Sequence, residues 1–250
     1  ALPTLAFVPD KRSSGRSALS IKAQFSLLMS NQLMWRLLAA DFLAGFGTAV
    51  SGALYIFVAS KYFELPGHAS LALLLYFVAS FLAMPLWMKL AIKLGKAQAL
   101  TIALGYGALI NLILIPLAEP GNAVVLWCFT LSFGVAFGAA PTLLRTMMAD
   151  LTDLDELDSG EKRAGLFFAM LTTTNKLGAA VAVGLSFTIL EAVFAFQPAA
   201  ENSEAALQGL LWTYAIGTAA GLLLAALPVI NYPLNRAQHQ KIRDQLDARA

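Results

Sequence analysis

A lone lysine inside an apolar run is the residue in this sequence with the most chemistry to explain. Lys176 follows Leu166-Phe-Phe-Ala-Met-Leu-Thr172-Thr173-Thr174-Asn175 and precedes Leu177-Gly178. It lies twelve residues after Ala164, or ~18 Å into a helix that starts there at 1.5 Å per residue. That is too deep for an easy reach back to the interface. A membrane holds an ammonium at such depth when something neutralises or hydrates it. The lysine could bond carbonyls or polar side chains and merely fix packing. The functional reading is an ammonium facing a central cavity, where it pairs with carboxylates or a ligand hydroxyl and changes its interactions as ions bind. Thr172 and Thr173 stand at i−4 and i−3, on the same helix face. Asn175 shares that face only in part.

Acids supply the complementary chemistry in two places. Asp41 falls about six residues into the first apolar block, so it is an intramembrane acid that needs a base. Arg145 is at a compatible depth, and a structural Asp41–Arg145 pair is expected. The second place is residues 150–163, read as a polar loop with six acids and two bases. Its bland reading is a solvated loop in which Asp158 or Ser159 caps the following helix. Its functional reading is a latch, in which Asp150, Asp153 and Glu156, with Lys162 and Arg163 nearby, pair with basic residues of another six-helix half. Lys89, Lys93 and Lys96 suit the same network and are equally explained as orientation determinants.

The elements that position these groups are long and apolar. Of 250 residues, 58% are hydrophobic and 13% charged, against roughly 25% charged in soluble domains. Apolar blocks at about 35–62, 70–94, 97–118, 123–148, 164–194 and 207–230 each reach the ~20 residues that cross ~30 Å of hydrocarbon. Residues 1–34 read as a linker plus a possible surface helix over 20–34, and 231–250 as a tail. Six crossings place both ends on one side. That side takes fifteen of the seventeen lysines and arginines, leaving Lys61 opposite and Lys176 within, so both termini are expected to be cytoplasmic. Small residues four apart (Ala44, Thr48 and Gly52; Gly134 and Gly138; Gly217 and Gly221) predict close helix packing.

The wording of 150–178 is specific. Asp-x-x-Asp-x-x-Glu, a glycine, a basic pair, another glycine and a helix with one buried lysine resembles the carboxyl-terminal half of the glycoside–pentoside–hexuronide:cation symporters, within the major facilitator superfamily. The resemblance runs from about residue 20 onward. It implies an all-α membrane fold: six transmembrane helices in two three-helix inverted repeats, half of a major facilitator. It implies that Lys176 lies near sugar and cation sites, and that the cation-binding acids lie in an amino-terminal half. It also supports the latch version of the acidic stretch. Two positions depart from the family's sugar permeases. Pro141 replaces an aromatic residue and Leu171 an amide, which suits a less sugar-like, more amphipathic substrate. Pro141 also predicts a broken or bent helix.

Other classes find little support. Gly45-Phe-Gly47 lacks the dinucleotide fingerprint. One cysteine, Cys128, and two distant histidines, His68 and His239 in loop-like sequence, offer no metal set. No catalytic motif is present, so an enzyme is not expected. Trp87, Trp127 and Trp212 are read as anchors, and Glu191 as reaching water. The expectation is a cation-coupled transporter of a small solute, a sugar or glycoside, with Lys176, Thr172, Asn175, Thr173 and Asp41 on its pathway. The alternatives are a lipid-like substrate or a non-pumping six-helix scaffold that dimerises. No cofactor is expected beyond a coupling cation, Na+ or H+, whose site would lie outside this chain. The partners are a small solute, the lipid bilayer, and an amino-terminal six-helix half or a second copy, with no nucleic acid. The opening at Ala1 reads as part of a longer polypeptide, in a bacterial inner membrane.

Overall fold

A computed structural model describes residues 31–249. The expected linker and surface helix fall almost wholly outside the described residues. The described chain is helical: α1 (Gln32–Phe57), α2 (Pro66–Leu94), α3 (Lys96–Leu117), α4 (Ala123–Phe137), α5 (Ala139–Ser159), α6 (Ala164–Phe194), α7 (Glu204–Ala226) and α8 (Arg236–Asp247). Six spans are long and apolar enough to cross a bilayer, with α4 and α5 forming one of them and α8 none.

Local sequence sets most helix ends. Asn31, Asn122 and Ser203 accept backbone N–H bonds at the starts of α1, α4 and α7, satisfying donors that a helix leaves open. Pro66 opens α2, where its missing N–H is harmless. The last turn of α1 widens to π geometry over Val58–Tyr62.

The bent fourth span has a defined cause. Pro141 lacks an N–H, and its ring crowds the carbonyl four residues back, which belongs to Phe137. The helix breaks there, between Phe137 and Ala139. The bend expected from Pro141 is thus present, one turn upstream of the proline.

Two expectations need correction. Residues 150–159 are not loop: α5 continues through them to Ser159 and stops at Gly160, whose φ of +72° suits glycine. Nothing between Pro141 and Gly160 breaks a helix, so polarity there marks emergence from the membrane, not loss of helix. Neither Asp158 nor Ser159 caps α6, which begins after Arg163 without a side-chain cap. Ser159 instead accepts from the Glu161 N–H at 3.1 Å. The tail is helical too. A reciprocal capping box between Asn235 and Gln238 starts α8, and His239 lies on that helix.

Helix α1 is central, packing on both α6 and α7, while α3 lies on α7 and α4 on α2. The close approaches depend on glycine. A Cβ on Gly221 would fall 2.5 Å from Gly47 Cα, and one on Gly178 would strike the Phe42 carbonyl oxygen. Gly134 and Gly138 seat α4 on Tyr76 and Ser80 of α2, whereas Gly52 faces open space. The second and fifth spans bury only 28% and 22% of their cores, against about half for the first. Their outward faces, including Phe81 and Leu82 of α2, are free for lipid or a further helical unit.

On the basic face, Arg36 ties the bundle shut by donating to the Pro228 and Ile230 carbonyls, each at 2.7 Å. Its guanidinium also lies 5.4 Å from the Tyr232 ring centre. Burial pushes the Tyr232 phenol above its usual value, against the opposing pull of Arg36. Tyr232 therefore stays protonated and donates to Leu33 O at 3.4 Å.

Candidate functional site

The glycine contacts that draw α1 and α6 together also assemble the site. Gly45 leaves no room for a Cβ beside Asn175, whose carbonyl oxygen would lie 2.7 Å from it. This places Asn175 over Asp41, one turn before Gly45. The Asn175 Nδ2 donates to both the Asp41 backbone oxygen and Oδ1, each at 3.3 Å. Asp41 is only 6% exposed. Its Oδ2 is buried and has no hydrogen-bond partner among the described residues.

Asp41 lines a recess of about 280 Å³ between α1, the α4–α5 bend and α6. Thr48, Pro141, Arg145, Thr172, Asn175 and Lys176 share its wall. Four of the five pathway residues expected from sequence, Asp41, Thr172, Asn175 and Lys176, are therefore together. Thr173 is not among them. It lines an open concavity on the other side of α6, which Lys176 and Thr172 also border.

The expected Asp41–Arg145 pair is absent. Arg145 lines the same recess but donates to the carbonyl of Pro141 at 3.4 Å, and Asp41 is held by Asn175. The guanidinium satisfies itself on the carbonyl one turn back, near the bend. Lys176 makes no hydrogen bond or ion pair among the described residues and is exposed. The hydroxyls of Thr172 and Thr173 donate to their own helix, to Phe168 O and Ala169 O at 2.8 Å each. Their oxygens can still accept a bond from outside.

A smaller chamber, about 100 Å³, adjoins this recess through the shared residues Thr48 and Phe137. Its walls are aromatic with hydroxyls: Tyr55, Tyr76, Phe129, Phe133 and Tyr214. Ser51 donates to the Tyr214 hydroxyl at 3.2 Å. The sequence reading missed this chamber, because its aromatics are scattered over α1, α2, α4 and α7 with no local motif.

The acidic stretch forms a second charged region, on the basic face. Lys96 places Nζ 2.7 Å from both Asp150 oxygens. Asp155 takes a bidentate grip from Arg163 at 2.9 and 2.6 Å. Glu156 faces Lys162 at 3.4 Å. Asp153 meets His239 of α8 at 2.8 Å and Arg243 at 3.5 Å. In this structure Asp150, Asp153 and Glu156 thus have partners within the chain. Of the three short-loop lysines, Lys96 is the one that joins them. His239 is the partner that the sequence reading passed over.

Trp87 is buried and donates to Val135 O at 2.7 Å. Trp127 donates to His68 at 3.1 Å.

Six apolar spans around a polar recess that holds a lysine and an arginine without ion pairs mark an integral multi-pass membrane protein. The sequence profile of the family described as "MFS/sugar transport protein" matches residues 5–236, and the chain belongs to that family of transporters. An uncharacterised symporter of Synechocystis sp. is 33% identical over 138 residues, an alignment that takes in 53% of this chain and 25% of that protein.

Proposed function

We propose that this chain is the carboxyl-terminal half of a cation-coupled symporter that moves a small solute, a sugar or glycoside, by alternating access. One observation carries the reading. The recess gathers a buried acid, an amide, two threonines and two cations from three separate helices. Charges held in a bilayer without fixed partners are costly unless they serve a ligand or ion. Transporter sites of this kind sit near the membrane midplane, beside interrupted helices, and the α4–α5 break borders this one.

In this mechanism the solute enters between two six-helix halves. Thr172 and Asn175 meet its hydroxyls. Lys176 couples its occupancy to the state of nearby carboxylates. The basic-face ion pairs brace the closed state by fixing α5 to the α2–α3 turn and to α8.

The adjoining chamber favours a second reading. Aromatic walls beside two cations suit an amphipathic solute, with its apolar part among the tyrosines and phenylalanines. Leu171 is buried on the recess wall, where an amide would help bind a sugar.

The test is uptake by the full-length protein in proteoliposomes under imposed sodium or pH gradients. The substrates are a panel of labelled sugars and a panel of labelled single-chain amphiphiles. Gradient-driven sugar uptake that Lys176→Ala sharply lowers is expected. Uptake restricted to amphiphiles would establish the second reading. Uptake of neither, with the protein folded, would leave a scaffold.

A further inference from the structure

The least settled polar atom in the site is Asp41 Oδ2. Its carboxyl group lies among apolar neighbours on α1, with one oxygen bonded to Asn175 and the other to nothing among the described residues. The Thr174 hydroxyl also faces this carboxyl, but it sits within bonding distance of the Met170 and Leu171 carbonyls, at 3.1 and 2.9 Å. An ionised carboxylate left half-bonded in a low-dielectric setting is strongly disfavoured. Binding a proton removes the charge.

We infer that Asp41 is the group through which this half couples transport to a proton gradient, with the proton carried on Oδ2 in this conformation. The donors around it favour a proton over a metal cation. Arg145 on α5 and Lys176 on α6 face the same recess, but as positive charges they oppose a proton and a metal cation alike, so the choice rests on the oxygens available. On α1 itself, Arg36 is committed to carbonyls of Pro228 and Ile230. Helix α7 carries no charged residue after Glu204, at its far end. A hard cation also needs a shell of several oxygens. Asn175 turns its amide nitrogen, not its oxygen, towards Asp41. The alternative amide orientation would set its oxygen against both Asp41 oxygens that the nitrogen now bonds.

The step is a simple exchange. Asp41 Oδ2–H releases its proton to water in the recess and becomes a carboxylate. That carboxylate attracts Arg145 or Lys176, which carry no ion pair in this structure. Uptake of a proton frees the cation again. Proton occupancy is thereby converted into a choice of partner for groups on α5 and α6. This inference depends on the symporter reading for its purpose, but its test does not.

The test is infrared difference spectroscopy of the full-length protein in liposomes, titrated with pH alone. A protonated-carboxyl stretching band is expected that grows as pH falls and is missing in Asp41→Asn. Asn175→Ala should move its midpoint upward by roughly one pH unit, because the lost amide hydrogen bond favoured the ionised form. Added sodium at constant pH should leave the band unchanged. A band that persists in Asp41→Asn, no band at any pH, or a midpoint unmoved by Asn175→Ala overturns the assignment. Loss of the band on adding sodium overturns it in favour of a sodium site. A melting profile of Asp41→Asn matching the parent excludes misfolding as the cause of a lost band. If the band behaves as stated but no gradient drives uptake, the symporter reading fails while the proton site stands.

Discussion

The two charged regions use the same residue types in opposite ways. On the basic face, every acid that faces a base is matched: Asp150 with Lys96, Asp155 with Arg163, Glu156 with Lys162, Asp153 with His239. In the recess, Lys176 and Arg145 have no ion pair, and Asp41 has a partner for one oxygen only. The first region lies at the polar ends of the helices and the second within the spans, so the unmatched charges lie where a bilayer tolerates them only for a ligand or ion. Matched charges hold a structure in one arrangement. Unmatched ones are free to answer a ligand. The contrast predicts that recess substitutions change transport more than stability, and basic-face substitutions the reverse.

The largest effect should come from Lys176→Ala. It removes an ammonium with no partner to orphan, so the melting temperature should stay within a degree or two of the parent. Gradient-driven uptake should fall about 10–100-fold, the range in which coupled sites usually communicate. Lys176→Arg should recover part of it. A large drop in melting temperature with uptake intact would erase the distinction between the regions.

Gly178→Val sharpens the same contrast from the side of the scaffold. The new side chain meets the Phe42 backbone, which has no flexible end to move aside. Helices α1 and α6 must part, at about 1–3 kcal/mol, and Asn175 leaves Asp41. Both a thermal melt and uptake should register the change. An unchanged melt would show that the two helices separate without cost.

Asp150→Asn tests the basic face directly. Lys96 is about one-third exposed while Asp150 is 8% exposed, so solvent screens part of the pair. A loss of about 1–2 kcal/mol is expected, below the 3–5 typical of a fully buried pair. With Lys96→Gln, the double-mutant cycle should return a coupling near 1 kcal/mol. Simple additivity would mean that the contact contributes nothing.

The sequence made some of this legible and hid the rest for physical reasons. The six spans were readable because hydrocarbon thickness imposes a length on every crossing helix. The bend at Pro141 was readable because a missing N–H acts locally. Asp41, Thr172, Asn175 and Lys176 were individually visible as polar residues in oily runs. Spacing also set Thr172 and Lys176 on one helix face, but the contact of Asp41 with Asn175 was not readable, since it depends on Gly45 and Gly178 letting two distant segments touch. The Asp41–Arg145 pairing was read from depth alone. Depth does not fix which face of α5 the guanidinium takes, and the Pro141 carbonyl was a nearer acceptor. Residues 150–159 were misread as loop because polarity was equated with loss of helix.

The tail gives the smallest effect. Helix α8 is held by His239 against Asp153 and Asp150, at 2.8 and 3.4 Å, by Arg249 on the Leu157 carbonyl at 2.6 Å, and by buried Ile242. His239→Ala removes one contact of this group at an aqueous edge, so global stability should fall by only about 0.2–1 kcal/mol. The local consequence should be clearer than the global one. Amide hydrogens of residues 236–247 should exchange faster, while those of the six spans keep their protection. Uptake should not change, because the polar contacts of α8 fall on Asp150, Asp153 and Leu157 of α5, beyond the recess residues Pro141 and Arg145. If α8 exchange is also unchanged, Ile242 and Arg249 hold the helix and the histidine is incidental. If uptake falls while exchange holds, the basic face senses the transport cycle, and the division between a bracing region and a working one fails at its weakest contact.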